Sequence, residues 1–229
     1  MRYAKLLCLV AVLVTVATAS NETLPRSVAD DVRSAMDKAG AALEDGDRQL
    51  ALALYKGSLY PEGIKLALDG STVTSDDQSR AVYLALGTWE TELKGDFPVT
   101  LVDEVKDADV VIRFVDSIPD RGTDALGVIK LEKRFKWSQS RHEVTYKGTI
   151  SIVKTSNGDR LEMAETRDVV MHEIGHLLGL GDTPELGLLM GPMERGRPVN
   201  RPTAGEVEDI KTLRRALRER IRYAATAQK

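Results

Sequence analysis

Two histidines and a glutamate open the chemistry of this chain. In the run His172-Glu173-Ile174-Gly175-His176-Leu177-Leu178-Gly179-Leu180-Gly181-Asp182 the two imidazoles are four residues apart. On an α-helix that spacing puts both on one face, about one turn from each other. They can then converge on a single Zn²⁺ at Zn–N distances of about 2.0–2.1 Å. Glu173 sits about 100° round the helix from His172. There its carboxylate reaches a water in an open metal position without itself ligating. Gly179 is a stop signal, because a helix commonly ends on a glycine in the left-handed conformation, where a Cβ would clash. The chain then turns and presents Asp182, whose carboxylate is a legitimate zinc ligand. His172, His176 and Asp182 are three protein ligands, and the fourth position stays open, as in a catalytic site. A structural site would be closed by four.

Composition points the same way. The 229 residues include 3 His and 1 Cys. One Cys excludes an intrachain disulfide framework, Cys-based zinc modules and iron–sulfur clusters. A net charge of −3 gives no global reason to expect a nucleic-acid partner. Any metal site must therefore use His and carboxylates. Arg2 and Lys5 precede an apolar run, Leu6 to Val16, that is too short to span a bilayer, and Ala17-Thr18-Ala19 follows it as a cleavage signature. Residues 1–19 read as a signal peptide, so the protein is expected to be exported, to the medium, periplasm or cell surface. No stable membrane insertion is expected after cleavage. Cys8 leaves with the signal.

The elements that must position the site follow from hydrophobic period. Arg167 to Leu178 reads as a helix, with Val169, Val170, Leu177 and Leu178 making its flanks apolar. Residues 26–56 read as a helical hairpin broken at Glu44-Asp45-Gly46-Asp47. Its second half resembles a tetratricopeptide unit, but one copy does not make a solenoid. Gly57 to Gly63 reads as a linker. Ile64, Leu66 and Leu68 alternate as a strand, and a helix follows over about Asp76 to Leu93. Pro98–Val102, Asp109–Val115, Leu126–Leu131, Arg134–Lys147 and Thr149–Thr155 read as strands, with Asn157-Gly158 as a turn. Residues 182–202 have no period and read as a loop. A last helix covers about Thr203 to Arg222, with Lys211, Arg214, Arg215, Arg218 and Arg222 on a solvated outer face.

The central motif resembles the H-E-x-x-H-x-x-G-x-x-H/D signature of metzincin zinc peptidases. Downstream, Glu185-Leu-Gly-Leu-Leu-Met190-Gly-Pro-Met193 is similar to the Met-turn of the matrixins, in which Met190 would lie beneath the metal. The runs "AVYLALGTWE", "ADVVIRFVD" and "ALGVI" are similar to the matrixin core of a helix followed by strands. The resemblance covers about residues 62–222. It implies an α+β catalytic domain over 62–229, with a twisted mixed sheet, an active-site helix and a C-terminal helix. A short helical segment over 20–61, a propeptide, docking element or brace, precedes it. It also implies one catalytic zinc, a protein or peptide substrate, and Glu173 as general base in peptide-bond hydrolysis. The substrate would pair antiparallel with the 126–131 strand. Gly179 and Met190 would be structural supports. Asp182 replaces the more usual His, as in snapalysin-like members, Gly191 stands where Tyr is frequent, and no propeptide cysteine remains.

Alternatives differ in the third ligand or in the chemistry. A Glu from a later segment (Glu194, Glu206 or Glu208) would complete a gluzincin-type site. A zinc-binding module without catalysis would keep the fold, but zinc affinity alone does not require Glu173. His142, in a polar, strand-like context, reads as a surface or turn residue, with a substitute zinc ligand or second metal site as the sharper reading.

Overall fold

The computed structural model describes residues 24–60, 63–119, 125–137 and 142–226. The signal-peptide reading of 1–19 lies outside them. Among the described residues no helix is long and apolar enough to cross a membrane.

The chain opens with the expected helical hairpin, α1 (Asp30–Glu44) and α2 (Arg48–Leu59). Asp47 caps α2 by accepting the Leu50 amide at 3.0 Å, which satisfies one of the orphan donors of the first turn. The linker expected at Gly57 to Gly63 starts too early. Gly57, Ser58 and Leu59 are buried helical residues, and Gly57 has no Cβ because the Phe135 ring packs there. Tertiary contact overrides the weak helix propensity of glycine.

Next come β1 (Ile64–Leu68), α3 (Asp76–Leu93), β2 (Val99–Leu101), β3 (Val110–Val115), β4 (Gly127–Trp137) and β5 (His142–Val153). A short pair, β6 (Thr155–Ser156) and β7 (Asp159–Arg160), closes through Asn157 and Gly158. Both turn residues have positive φ, 54° and 86°, the backbone a two-residue hairpin favours. The helices α4 (Met163–Leu177) and α5 (Ala204–Thr226) complete the fold. The sheet order is β2-β1-β3-β5-β4, with β4 antiparallel on an otherwise parallel sheet. Among the described residues no strand pairs with the outer edge of β4. This is the expected α+β, mixed-sheet architecture.

Arg134–Lys147 is not one strand. It spans the end of β4 and the start of β5, which pair from Trp137–His142 back to Gly127–Ile152. The segment between them, Ser138-Gln139-Ser140-Arg141, lies outside the described residues.

The two larger of three apolar clusters among the described residues hold the layers. In the larger, Trp89 and Leu93 of α3 and Val170 and Ile174 of α4 pack on Leu66, Ile112 and Ile150. Trp89 is 0% exposed and its indole N–H donates to the Met171 carbonyl at 3.0 Å. That bond fixes α3 against α4. The second core joins Val32, Met36, Leu52 and Leu59 of the hairpin to Leu213 and Leu217 of α5. Here the reading of a uniformly solvated basic face fails at Arg214, which is 6% exposed. It donates to Asp96 and to the Leu59 carbonyl, each at 3.0 Å. Arg218 also pairs with Asp96.

Candidate metal centre and cleft

Helix α4 carries the two histidines. It begins four residues before the expected Arg167, because Glu165 reaches back to accept the Glu162 amide at 2.9 Å. Carboxylate capping of this kind carries no Ser, Thr, Asp or Asn signal at the cap. The helix ends as the glycine predicts. Gly179 has φ of 98°. The Gly179 amide donates to the His176 carbonyl and the Leu180 amide to the Gly175 carbonyl, both at 3.0 Å, which is the Schellman pairing of a helix C-terminus. A Cβ at Gly179 would also lie 2.7 Å from Leu213 Cδ2.

The turn delivers Asp182 to the histidines. Its Oδ1 lies 3.2 Å from His172 Nε2 and 3.4 Å from His176 Nε2. The two rings are edge to face, with centroids 4.8 Å apart. Each far ring nitrogen is held by the backbone. His172 Nδ1 is 2.7 Å from the Leu189 carbonyl and His176 Nδ1 is 2.9 Å from the Leu180 carbonyl. A carbonyl only accepts, so each Nδ1 carries the proton and each Nε2 presents a lone pair. Three lone-pair donors therefore face one another across a common point. A tetrahedral ion with bonds of about 2.0–2.1 Å has ligand edges of about 3.3–3.4 Å, so the residues fit zinc. Among the described residues these three form the one metal-capable group. When protonated at Nε2, the imidazoles would instead donate to Asp182 and hold its carboxyl below its usual range, with His172 the largest influence. Burial pulls His176 down, but Asp182, the Leu180 carbonyl and Glu173 together raise it.

Glu173 is 3% exposed and faces the same cleft. Burial pushes its carboxyl up, against the pull of His172 and His176, while nearby Asp182 raises it further and the Ile129 amide lowers it. The start of β4 lies directly over it. A Cβ at Gly127 would sit 2.6 Å from Glu173 Oε1 and 2.6 Å from Val169 Cγ1. No spacing rule singles out Gly127; only its place within the family-like "ALGVI" run marks it.

Met190 is 2% exposed and its thioether lies against Gly175, where a Cβ would overlap the sulfur. Gly175, an unconstrained position of the motif, thus makes room for the Met190 thioether. The loop is pinned: Thr183 donates to the Met190 carbonyl, and the Met190 amide donates to Glu206 Oε1, each at 2.9 Å. Glu206 also accepts the Thr203 amide and hydroxyl at 2.7 and 2.8 Å. The later-glutamate alternative fails here. Glu206 is committed to Met190 and to the start of α5, and Glu194 and Glu208 are exposed outside the metal-capable group. Gly191 is also explained, since a Cβ there would overlap the Glu185 carbonyl. His142 begins β5 at the far end of the β4–β5 ribbon, ten residues along β4 from Gly127, or about 34 Å of extended backbone. The structure does not bring its backbone to the cleft.

The cleft has a volume of about 760 Å³. Its walls are β4 on one side and the Met190–Met193 segment on another, with Ala29, Asp31, Val32 and Tyr60 of the N-terminal segment closing one end. That segment is hydrogen-bonded to the turn after α4. The Ala29 amide donates to the Gly179 carbonyl at 2.9 Å and the Gly181 amide to the Ser27 carbonyl at 2.7 Å.

A family profile described as matrixin matches residues 64–215. No curated protein matches the chain significantly. The match includes the sheet, α3, the histidine helix, the Met190 loop and the first half of α5, and it begins after the hairpin. The chain belongs to the matrixin family of zinc-dependent metallopeptidases.

Proposed function

We propose that this chain is an exported zinc endopeptidase. In this reading His172, His176 and Asp182 hold one zinc and Glu173 is the general base. The observation that carries it is the convergence of three lone-pair donors beside a buried carboxylate. Zinc bound there supplies a Lewis acid that polarises the scissile carbonyl and makes water acidic enough to deprotonate near neutral pH.

The chain's own residues do the rest. The Leu189 and Leu180 carbonyls fix both imidazole tautomers, so neither ring can turn its lone pair away. Burial raises the Glu173 carboxyl toward the working range of a base that must first take a proton and then give it to the leaving amine. Among the described residues no strand covers the outer edge of β4, which leaves it open to an extended peptide beyond the Ile129 amide, itself bonded to Glu173, and antiparallel addition gives the better-aligned bonds. Gly127 lets that peptide and Glu173 approach the same point.

Residues 20–61 act as a brace retained in the working protein. Support comes from the hydrogen bonds at Ser27 and Ala29, from the core shared with α5, and from the hairpin residues that wall the cleft. The test is cleavage of casein and a peptide library, with and without a zinc chelator, beside Glu173→Gln. Activity lost on chelation, restored by zinc and absent in the variant supports the reading. A zinc-loaded wild type that cleaves nothing in a broad library sinks it and leaves the non-catalytic module.

A further inference from the structure

The cleft does not end at the metal centre. Along β4, Gly127, Val128, Ile129, Leu131 and Lys133 line it, and from Ile129 onward the intervening Lys130 and Glu132 are exposed. This is the period-two alternation of a strand with one covered face. At the far end stands Lys133, whose side chain is only 19% exposed. Its ammonium lies 5.6 Å from the centre of the Tyr60 ring. Its carboxylate partner, Asp31 at the start of α1, is 4.0 Å away and 73% exposed. A half-desolvated cation is thus held in the substrate cleft by an aromatic face and one loose, solvated counter-ion. Desolvation of an ammonium costs more than so distant a pair returns.

Strand direction says which part of a substrate arrives there. β4 begins over Glu173 and runs away from it. A peptide paired antiparallel with its edge therefore has its N-terminal portion toward Lys133. Six residues separate Gly127 from Lys133, about 20 Å of strand.

We propose that Lys133 is a specificity determinant, receiving an aspartate or glutamate of the substrate about four to six residues N-terminal to the scissile bond. This rests on the peptidase reading for where that bond lies. An acidic side chain there displaces Asp31, which is exposed enough to turn to water, and gives the buried ammonium a closer partner.

The experiment uses zinc-loaded, full-length Glu173→Gln protein and labelled peptides with Glu or Gln at those positions. Binding is read by fluorescence anisotropy, and cleavage of the same peptides by the wild type is followed separately. The Glu peptide is expected to bind about tenfold more tightly than the Gln peptide, the scale of a partly desolvated charged contact. Lys133→Met brings that ratio near one, and Asp31→Asn, a surface change, raises it. A ratio that neither variant moves, or a uniform loss of affinity for both peptides, overturns the proposal. Should Lys133→Met fail to fold, an unchanged ratio in Asp31→Asn is enough to reject it. Selective binding without cleavage by the wild type keeps the subsite and removes the peptidase. Cleavage without preference does the reverse.

Discussion

Helix α4 and the loop that follows it, 179–202, carry the site between them but are fixed by different physics. The helix is held locally. Its own hydrogen bonds set the angle between His172 and His176, and burial of Val169, Val170 and Ile174 sets its face. The loop has no ladder of its own. It hangs on carboxylates that reach in from helices. Glu206 takes the Met190 amide, Glu165 takes Arg195 and the Gly196 amide, and Asp168 takes the Val199 amide. One half of the site is therefore robust to distant change, and the other depends on a few buried acceptors.

The largest expected effect separates chemistry from that scaffold. Glu173→Gln should lower kcat by about 10³-fold, the middle of the range for a general base. Zinc content by elemental analysis and Tm should stay near wild type. Loss of zinc as well would mean that Glu173 is part of the metal's support. Glu206→Ala strikes the loop instead. Removing a buried charged acceptor of several hydrogen bonds should cost about 2–4 kcal/mol, lowering Tm by about 5–15 °C, and zinc should leave faster in a chelator chase. An unchanged off-rate would show that the Met190 segment is not what steadies the histidines.

Gly175→Ala tests the seam between the regions. The added Cβ overlaps the Met190 thioether, and overpacking of this kind costs about 1–3 kcal/mol. Coupling should appear as a less-than-additive effect when it is combined with Glu206→Ala. The smallest effect is on acid stability. Burial alone would raise the Glu165 carboxyl, but the Glu162 and Gly196 amides and Arg195 hold it lower than usual. Its ionised form therefore stabilises the fold fully above its unfolded value, about pH 4.3. That contribution is lost as pH falls through the folded value. Glu165→Gln should lose a few degrees of Tm, about 2–4 °C, at neutral pH, and the gap to wild type should close in acid.

The same division explains what the sequence made legible. The register of His172, Glu173 and His176 is a matter of helical period, and the offset of Gly179 is a helix-end rule. Both are local, and the structure places them as expected. Asp182 was named from its offset after Gly179, and its carboxylate lies beside both imidazoles. Met190 was visible only through family resemblance. Its anchor, Glu206, lies 16 residues on, and a bond from a carboxylate to a distant amide has no periodic signature. Read by composition, Glu206 looked like a possible ligand, and Arg214 looked solvated until Asp96 and the end of α2 closed around it. The boundary between β4 and β5 was missed because Ser138-Gln139-Ser140-Arg141 carries no Gly, Pro, Asn or Asp to break the run.

The bonds near Ser27 bear on how the protein comes into being. Its hydroxyl donates to Asp209, 182 positions later, and Glu206 holds Met190 from the same stretch of α5. A chain still being synthesised holds the histidine helix before it holds either clamp. Both clamps therefore need residues 206–209, and the histidine helix is complete in the chain well before them.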